Sequence, residues 1–309
     1  MKAGCWWRPS RIPPGRTPWP TPSRRATTSA STPGYRTQKE RTLAYIQPEI
    51  KQGYTPYLTI EENPKVGMDV GLLTLEKGQT YTGGQAGRET ALLLLQGQAR
   101  LQWADQQAQV SRRDTFREEG SCLHLPGDMQ YTVEALGPCE FYVQAADNPQ
   151  PFPPRLYRPQ DVMVQHAGAN NELLGAMRRE IKTFFDYESA PWSQMVLGEV
   201  LNFPGKWSSY PPHHHPQPEV YFHRFDRPLG FGASFGNGEV YVSRHNGLSV
   251  LLEGFHSQTA APGYAMCYVW GIRHLPDNPW RKTRIDDPGH EWLWQPDAND
   301  HIFQLEAKQ

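Results

Sequence analysis

The chain has 309 residues and carries 31 basic and 32 acidic side chains. This balance argues against a nucleic-acid partner, which would need a clustered basic surface. No apolar run approaches the ~20 residues that cross a bilayer, so the sequence predicts a soluble protein rather than a membrane protein. With 29 prolines, 27 glycines and 14 tyrosines, the composition favours short strands joined by turns.

The N-terminal segment differs from the rest of the chain. Residues 1–36 contain seven prolines and seven basic residues, and the first acidic residue is Glu40. Such a segment cannot bury a core, so residues 1–42 are predicted to be a disordered tail. The tail lacks the apolar stretch of a secretory signal, and its prolines oppose the amphipathic helix of a transit peptide.

Residues 43–148 show short strand patterns separated by turns, and we expect them to form one β domain. The predicted strands are 66–75, two within 89–103 that meet at Gln96–Gly97, two within 121–136 that meet at Pro126–Asp128, and 140–146. Several short strands at regular spacing are typical of a β-sandwich or barrel.

A proline-rich linker at 149–160 separates this domain from the second half of the chain. The apolar residues of 171–186 recur at helical spacing, which predicts one amphipathic helix. Strand patterns then resume, and residues 161–309 are predicted to form a second β domain. Its strands are SQMVLGEVLNF, PEVYFHRF, GEVYVSR, SVLLEGF and YAMCYVWGI.

The cysteines are too few and too scattered for a disulfide framework in a chain of this length. None of them forms a CxxC pair, and we expect reduced thiols in a cytoplasmic protein. The four residues are Cys5, Cys122, Cys139 and Cys267.

The strongest functional motif is PPHHHPQPE, which ends at Glu219. His213 and His215 alternate along an extended segment, so their side chains share a face, to which Glu219 can return on the next strand. His256 stands in a turn beside a later strand. Imidazoles with a carboxylate suit a borderline divalent ion such as Zn²⁺, Mn²⁺ or Fe²⁺, although a histidine triplet alone also occurs in polar turns. The four residues are predicted to bind one metal ion.

The same alternation assigns faces to the neighbouring side chains. Tyr221 and His223 share the strand face of Glu219, so they are predicted either to line the metal cavity or merely to fill the interior. His214 points to the opposite face from its two neighbours and is not expected to be a ligand.

The two β regions look like copies of one plan. Pro126 follows Glu89 by 37 residues, and His256 follows Glu219 by the same interval. Both intervals end in a turn that precedes another strand. Because the copies have diverged, this repeat is weak support for a duplication when taken alone.

The first copy lacks the ligand histidines of the second. Gly83 and Gln85 stand at the matching positions, so the N-terminal domain is predicted to hold no metal and to serve packing, dimerisation or shielding. His124, in an apolar strand without a nearby partner, is predicted to be a packed histidine.

Larger stretches carry a family resemblance. HxHxxxE with a later Gly-x-His turn resembles the two motifs of the cupin superfamily. LGEVLNFPGKWSSYPPHHH, PEVYFHRF, AAPGYAMCYVWGI and DDPGHEWLW resemble the 5-deoxy-glucuronate isomerases of inositol catabolism, and RETALLLLQGQA resembles the N-terminal barrel of that family. The resemblance covers about residues 45–295. The sequence departs from the family pattern in its compact ligand turn and in Glu253, where proline is usual.

The resemblance implies an all-β fold of two tandem cupin barrels (double-stranded β-helix or jelly-roll type), with one short helix and the metal in the second barrel. It also implies a metal-dependent aldose–ketose isomerase, an intramolecular oxidoreductase that interconverts 5-deoxy-glucuronate and 5-dehydro-2-deoxy-gluconate. One divalent ion would stabilise charge on two neighbouring substrate oxygens. Zn²⁺ is the first choice for it, with Mn²⁺ and Fe²⁺ as alternatives.

The acid or base that moves the proton cannot be ranked from the sequence. The candidates are His223, Glu253, Tyr221 and Tyr268. The carboxylate of a sugar acid would bind a cationic side chain, although each candidate also fits a solvated surface position. These candidates are Arg244, Arg273 and Lys206.

The segment DDPGHEWLW, which begins at Asp286, allows two interpretations. Its acids and histidine could form a second metal site. We favour a C-terminal flap that packs Trp292 and Trp294 over the second domain.

Two other functions fit the same residues. An Fe(II) dioxygenase could use two histidines and a carboxylate and leave positions open to O₂. A non-catalytic cupin could bind a sugar acid without turnover. In each case the partner is a small sugar acid rather than nucleic acid or membrane, and exposed sheet edges would permit a homo-oligomer.

Overall fold

Residues 45–305 are described by the computed structural model, and this part of the chain is all-β with only short helical turns. The tail predicted at 1–42 lies outside the described residues. Ten strands precede residue 158: β1 Tyr45–Ile46, β2 Gly53–Leu58, β3 Asp69–Leu75, β4 Thr80–Gly83, β5 Arg88–Trp103, β6 Gln106–Arg112, β7 Cys122–Leu125, β8 Tyr131–Ala135, β9 Cys139–Asp147 and β10 Arg155–Tyr157.

Eleven further strands follow: β11 Met163–Ala167, β12 Arg179–Phe185, β13 Met195–Asn202, β14 Trp207–His214, β15 Glu219–Phe225, β16 Phe231–Gly236, β17 Glu239–Arg244, β18 Leu248–Leu251, β19 His256–Ala260, β20 Met266–Arg273 and β21 Ile285–Asp286. The 3₁₀ segments are Pro159–Asp161, Glu172–Gly175 and Pro288–Trp294, and the helix α1 is Ala298–His301. No helix of the described residues is long and apolar enough to cross a membrane.

The strands form three sheets in which every pairing is antiparallel. Strands β2 to β10, the N-terminal half (residues 53–157), make a nine-stranded sheet with β10-β7-β5-β9-β3-β2 as its main path. The C-terminal half (residues 163–286) contributes a five-stranded sheet, β17-β16-β19-β14-β21. It also makes six strands of a seven-stranded sheet, β1-β18-β15-β20-β13-β12-β11, whose remaining strand is β1.

The central strands are apolar along nearly their whole length because both of their faces are buried. In β5 the run ALLLL is fully buried, and in β13 every residue of MVLGEVLN is buried. One hydrophobic cluster joins the halves, since it contains Leu72 and Tyr142 of the N-terminal sheet together with Phe222 and Val250 of the C-terminal sheet. Burial of this shared face is the main force that holds the halves together.

The helix predicted at 171–186 is wrong, because the second half of that segment is the strand β12. A 3₁₀ turn occupies only Glu172–Gly175 and ends at Gly175, which has φ +73°. Beyond it, β12 pairs with β11 on one side and β13 on the other. The segment is rich in β-branched and aromatic residues, and tertiary pairing overrides its helix-like spacing.

The two strands predicted within 89–103 are one long strand, β5, with a bulge between Leu94 and Gln96. Gly97 follows the bulge with φ +96°, and a Cβ there would lie 2.0 Å from the Pro138 carbonyl oxygen. The predicted turn is therefore a bend that only glycine can occupy, and the strand continues through it.

Two chain segments connect the halves more closely than a plain linker would. The proline-rich segment 149–160 contains β10, which pairs with β7. Strand β1 precedes the N-terminal sheet in sequence but pairs with β18 of the C-terminal half. The three cysteines in the described residues lie buried and free in strands, as predicted: Cys122, Cys139 and Cys267.

Candidate metal centre

Three strands of the C-terminal half bring the predicted ligands together. His213 on β14 is the direct pairing partner of His256, the first residue of β19. Glu219 opens β15, just after the turn that carries His215. Neighbouring strands therefore deliver side chains that are 43 positions apart in the sequence, as His213 and His256 are.

The side chains converge on one carboxylate oxygen, Oε2 of Glu219. His215 Nε2 lies 3.1 Å from it and His256 Nε2 lies 3.3 Å from it. The Tyr221 hydroxyl donates to the same oxygen over 2.9 Å. One potential ligand atom from each of His215, Glu219 and His256 lies within 4.8 Å of the other two, and all three residues are buried.

The electrostatics keep the carboxylate ionised. Burial opposes the charge of Glu219, but the neighbouring imidazoles of His215 and His256 outweigh it and hold the pKa well below its usual value. The site therefore offers one anionic oxygen ligand and several imidazole nitrogens. This combination of ligands suits a borderline divalent ion.

His213 lies at the edge of this cluster. Its ring centroid is 4.3 Å from that of His256 and 6.4 Å from that of His215. Burial, together with His256 and Arg284, lowers the pKa of His213 to about 2, so the ring is neutral. Its Nδ1 is 3.2 Å from the Ser209 carbonyl oxygen, which can only accept; Nδ1 therefore carries the proton and Nε2 presents a lone pair.

The residues present fit a metal ion. His256 Nε2 is buried without a hydrogen-bond partner among the described residues, although it lies close to Glu219. An orphaned imidazole nitrogen in a buried site is costly unless something binds it. The triad of His215, Glu219 and His256 could hold an ion.

A cavity of about 150 Å³ lies against the cluster. Tyr221 and Tyr268 line it, as two of the four proposed acid–base candidates. The complete lining is Arg179, Ile181, Val200, Ser208, Ser209, His213, His215, Glu219, Tyr221, Tyr268, Trp270, Ile272, Trp280 and Arg284. The mixture of apolar walls and a few converging polar groups is typical of a small-molecule site.

The two tyrosines differ in their partners. The Tyr221 hydroxyl is held by Glu219 and lies 3.3 Å from Ser209 Oγ. The Tyr268 hydroxyl lies 2.6 Å from Ser208 Oγ, and burial raises the pKa of Tyr268 to about 12. Tyr268 therefore stays protonated at neutral pH and can donate.

The other two acid–base candidates lie away from the cavity. His223 is buried beyond Tyr268, with ring centroids 6.1 Å apart, and its Nε2 is 3.0 Å from Ser249 Oγ. Burial lowers the pKa of His223 to about 3. Glu253 is exposed and borders a separate small pocket behind His256.

His214 stands outside the cavity lining, with its ring 5.0 Å from that of Phe255.

The cations that line the cavity are not the ones proposed from the sequence. Arg244 is exposed on β17, and Lys206 does not line the cavity. Arg273 donates to the carbonyl oxygens of Gln194 and Asp147 instead.

Arg179 and Arg284 take their place in the lining. Sequence reasoning missed Arg179 because it assigned that segment to a helix. Strand alternation would have shown it pointing inward beside Ile181 on β12.

The C-terminal segment is attached to the site by strand pairing. Strand β21 pairs with β14 at His213 and His214. Trp292 and Trp294 are about half exposed, 44% and 51%, and the guanidinium of Arg284, which lines the cavity, lies 5.4 Å from the centre of the Trp294 ring. No second metal-binding group occurs among residues 45–305.

The N-terminal half contains a histidine–carboxylate pair that the sequence did not predict. His124 is packed, with its ring stacked 4.1 Å from that of Phe185, as expected of a core histidine. It nevertheless has a partner, because its Nε2 lies 3.0 Å from Glu89 Oε2. Glu89 also accepts a hydrogen bond from the backbone N–H of Gln194, so its carboxylate faces the C-terminal half.

A family model describes most of the chain. Residues 45–293 match the KduI/IolB family. The chain belongs to the KduI/IolB family. Curated relatives named 5-deoxy-glucuronate isomerase include that of Geobacillus thermodenitrificans, 29% identical over 248 residues, which cover 74% of this chain and 86% of the relative. The relative of the same name from Bacillus velezensis is 22% identical over 241 residues, 72% of this chain and 86% of the relative.

Solved structures support the fold of this KduI/IolB family member. An IolB-like protein from Salmonella typhimurium superimposes with a TM-score of 0.74 at 22% identity, over 81% of this chain and 98% of the other. Oxalate decarboxylase from Lactobacillus farciminis gives a TM-score of 0.58 at 12% identity, over 84% and 93%. At these identities the likeness concerns the fold alone.

Proposed function

We propose that this protein is a 5-deoxy-glucuronate isomerase that interconverts 5-deoxy-glucuronate and 5-dehydro-2-deoxy-gluconate in inositol catabolism. The observation that carries the proposal is the family match over residues 45–293, together with curated relatives of that name. The convergence of His215, Glu219 and His256 beside a cavity supports it, because an aldose–ketose isomerisation needs charge stabilisation at two adjacent oxygens.

We propose that His213 completes the ligand set as a fourth residue, through its free Nε2, and that Zn²⁺ is the first choice of ion. When bound, a divalent ion polarises the carbonyl oxygen and stabilises negative charge on the neighbouring oxygen. Neutral imidazoles and a carboxylate suit Zn²⁺, Mn²⁺ and Fe²⁺ alike, so elemental analysis has to identify the metal.

Arg179 is the proposed partner of the substrate carboxylate. It is buried at the cavity, and its side chain is hydrogen-bonded only to the Met177 carbonyl oxygen among the described residues. Burial, with Arg284 as a further contribution, lowers the pKa of Arg179. A buried guanidinium without a carboxylate partner gains most from an anionic ligand.

Tyr268 is the proposed donor in the proton transfer between the two reacting oxygens. In the aldose-to-ketose direction, one hydrogen moves from C2 to C1 and one proton moves from the C2 oxygen to the C1 oxygen. Tyr268 is protonated at neutral pH, lines the cavity and shares a short hydrogen bond with Ser208, which could relay the proton.

The domain organisation belongs to the proposal as well. We propose two tandem cupin barrels, at 43–148 and 161–309, of which the second carries the metal. The N-terminal barrel would hold none, because its matching positions lack histidine. The cytoplasmic location and the homo-oligomer stay predictions.

The test of function is an assay of the purified chain with 5-deoxy-glucuronate under strict anaerobiosis, in D₂O, with elemental analysis of the same sample. Interconversion without oxygen supports the isomerase. Turnover only in the presence of O₂ would indicate a dioxygenase. Bound metal with neither interconversion nor deuterium exchange would indicate a non-catalytic binder.

Ligand variants test the site itself. His256→Ala or His213→Ala should lose both bound metal and activity, the latter by at least about 100-fold, since second-shell changes alone cost 10- to 100-fold. His214→Ala is the matched control, because that ring packs against Phe255 outside the cavity, and it should keep its metal. A ligand variant with wild-type turnover would overturn the assignment.

A further inference from the structure

A second and larger cavity lies in the N-terminal half. Its volume is about 530 Å³, against about 150 Å³ for the cavity at the metal centre. Strands β2, β3, β4, β5, β8 and β9 supply its walls. Its lining includes Tyr54, Tyr81, Tyr131, Glu61, Asp69 and Arg88. No histidine or cysteine lines it.

The cavity occupies the same place in its sheet as the metal centre does in the other half. Tyr131, the first residue of β8, pairs with Gly83 of β4, as His256, the first residue of β19, pairs with His213 of β14. The register therefore places a tyrosine where the second half has a ligand histidine, and a glycine where it has the other.

The carboxylate ligand is replaced as well. Thr90 on β5 pairs with Leu125, the last residue of β7, as Glu219 on β15 pairs with Leu251, the last residue of β18. Thr90 thus corresponds to Glu219 in the strand pairing, one position away from the Glu89 that the sequence interval suggested. The N-terminal half thus has no histidine or carboxylate at the three positions that correspond to His213, Glu219 and His256, but a cavity lies there as well.

Three tyrosines form one wall of this cavity. The rings of Tyr54 and Tyr81 stack with centroids 6.1 Å apart, and those of Tyr81 and Tyr131 lie 6.3 Å apart. Tyr131 is only 4% exposed, and its hydroxyl occupies the space that a side chain at Gly83 would need, since a Cβ there would lie 2.4 Å from it.

The hydroxyl groups of this wall are available to a ligand. None of the three makes a hydrogen bond to another residue in the described part of the chain. A hydroxyl that lines a cavity without a protein partner is suited to a ligand that both donates and accepts. Aromatic faces beside such hydroxyls favour a ring with C–H and O–H groups.

The charged residues of the lining disfavour an anion. Arg88 is the only cation of the lining, and its guanidinium is hydrogen-bonded to Glu61, to Asp69 and to Asp147. Since three carboxylates surround one guanidinium, a sugar acid or a phosphate would meet a net negative surface. The carboxylate oxygens can still accept hydrogen bonds from ligand hydroxyls.

We propose that the N-terminal cavity binds an uncharged polyhydroxylated ring, a sugar or a cyclitol, between the wall of Tyr54, Tyr81 and Tyr131 and the carboxylates around Arg88. The N-terminal half then serves as a binding domain and not only as a structural support. The anionic substrate proposed for the metal centre is excluded from the N-terminal cavity, so the two cavities bind ligands of different charge.

The test is a saturation-transfer NMR titration of the full chain with D-glucose and with myo-inositol as uncharged probes. D-glucuronate and D-glucosamine serve as the anionic and cationic counterparts. At least one uncharged probe should saturate with a Kd no weaker than about 10 mM, and D-glucuronate should bind at least about tenfold more weakly at the N-terminal cavity.

Variants locate the binding. Tyr131→Phe removes one hydroxyl and should weaken binding about fivefold, as the loss of one hydrogen bond does. Tyr81→Ala should abolish it. Tyr157→Phe is the matched control, since it removes a buried hydroxyl that does not line the cavity. His256→Ala excludes the metal centre as the binding site and should leave the Kd of the uncharged probe unchanged.

The proposal is overturned if neither uncharged probe binds, or if Tyr131→Phe and Tyr157→Phe bind alike. It is also overturned if binding is lost in His256→Ala and kept in Tyr81→Ala. D-glucosamine binding more than about tenfold tighter than D-glucose would replace the uncharged class by a cation. Thermal unfolding of each variant shows whether a loss of binding reflects a loss of fold.

Discussion

Arg179 combines two properties that rarely occur together in one residue, burial and the lack of a carboxylate partner. Its side chain lines the cavity at the metal centre, and its one hydrogen bond goes to a backbone carbonyl. Keeping an unpaired charge buried reduces stability, so a functional gain must offset that cost. Binding the substrate carboxylate would be such a gain.

Arg179→Met should therefore raise KM for 5-deoxy-glucuronate by about 10- to 100-fold, the loss expected for a charge-assisted hydrogen bond, and leave kcat less affected. The variant should also be as stable as the wild type or more stable, because it removes a buried charge. Arg244→Met, at an exposed position, is the control. An unchanged KM in Arg179→Met would show that the carboxylate binds elsewhere.

His274 makes the stability of this protein depend on pH. It is buried, and its Nδ1 accepts a hydrogen bond from the Trp280 backbone N–H over 3.0 Å, which requires the neutral ring. Burial is the main cause that lowers the pKa of His274 to about 4. Between pH 4 and about 6.5 the unfolded state binds more protons, so the free energy of unfolding falls as pH is lowered through this window.

We expect His274→Asn to lose less stability than the wild type between pH 7 and pH 5, by about 2 kcal/mol, since the amide oxygen can accept the same hydrogen bond without titrating. Urea unfolding at the two pH values measures the difference. His166→Asn, at an exposed histidine, should follow the wild-type pH dependence. Parallel losses in the wild type and in His274→Asn would contradict this account.

At the scale of the element, β13 supplies Val200 to the wall of the metal-centre cavity, and neighbouring strands pack closely against its Gly198. A Cβ at this position would lie 2.3 Å from Trp270 Cε2 and 2.5 Å from the Lys182 carbonyl oxygen. The second contact is to backbone, which cannot rotate away. Strand β12 and Trp270 of β20 thus both pack against a position that has to lack a side chain.

Gly198→Ala should destabilise the fold by about 1–3 kcal/mol, the usual cost of overpacking, with the midpoint of urea unfolding as the measurement. Gly137→Ala is the matched control, because its nearest neighbour would be Gln98 Cβ at 4.0 Å. That substitution should stay within about 0.5 kcal/mol of the wild type. Equal stabilities for the two variants would mean that β12 or Trp270 can shift to make room.

At the scale of the whole molecule, a buried ion pair joins the two halves. Arg112 at the end of β6 and Glu199 in β13 make two parallel contacts of 2.7 Å, and neither side chain is exposed to solvent. Arg112 also donates to the carbonyl oxygens of Leu94 and Glu118. The pair adds a directional contact to the apolar cluster that the two halves share.

Arg112→Met should destabilise the protein by about 3–5 kcal/mol, because it leaves a buried carboxylate without its partner. The double variant Arg112→Met with Glu199→Leu should recover most of that loss. Urea unfolding of the two variants distinguishes the cost of an unpaired buried carboxylate from the cost of a packing defect. If the double variant is as unstable as the single one, the ion pair is not the cause.

The sequence by itself determined the chemistry of this protein. The spacing of His213, His215 and Glu219 rests on strand alternation, and the alternation of apolar residues rests on burial of one or both sheet faces, so both are local properties that a sequence displays. The all-β class, the family and the triad at the metal centre therefore followed from residues close together in the chain, with His256 as the one distant member.

Only the tertiary structure decided what depends on long-range pairing. It made 179–185 a strand, because hydrogen bonds to β11 and β13 outweigh a local helical spacing. It brought Arg179 into the cavity, left Arg244 exposed and paired His124 with Glu89. Which side chains meet across neighbouring strands is set by sheet register, and register depends on contacts between residues far apart in the sequence.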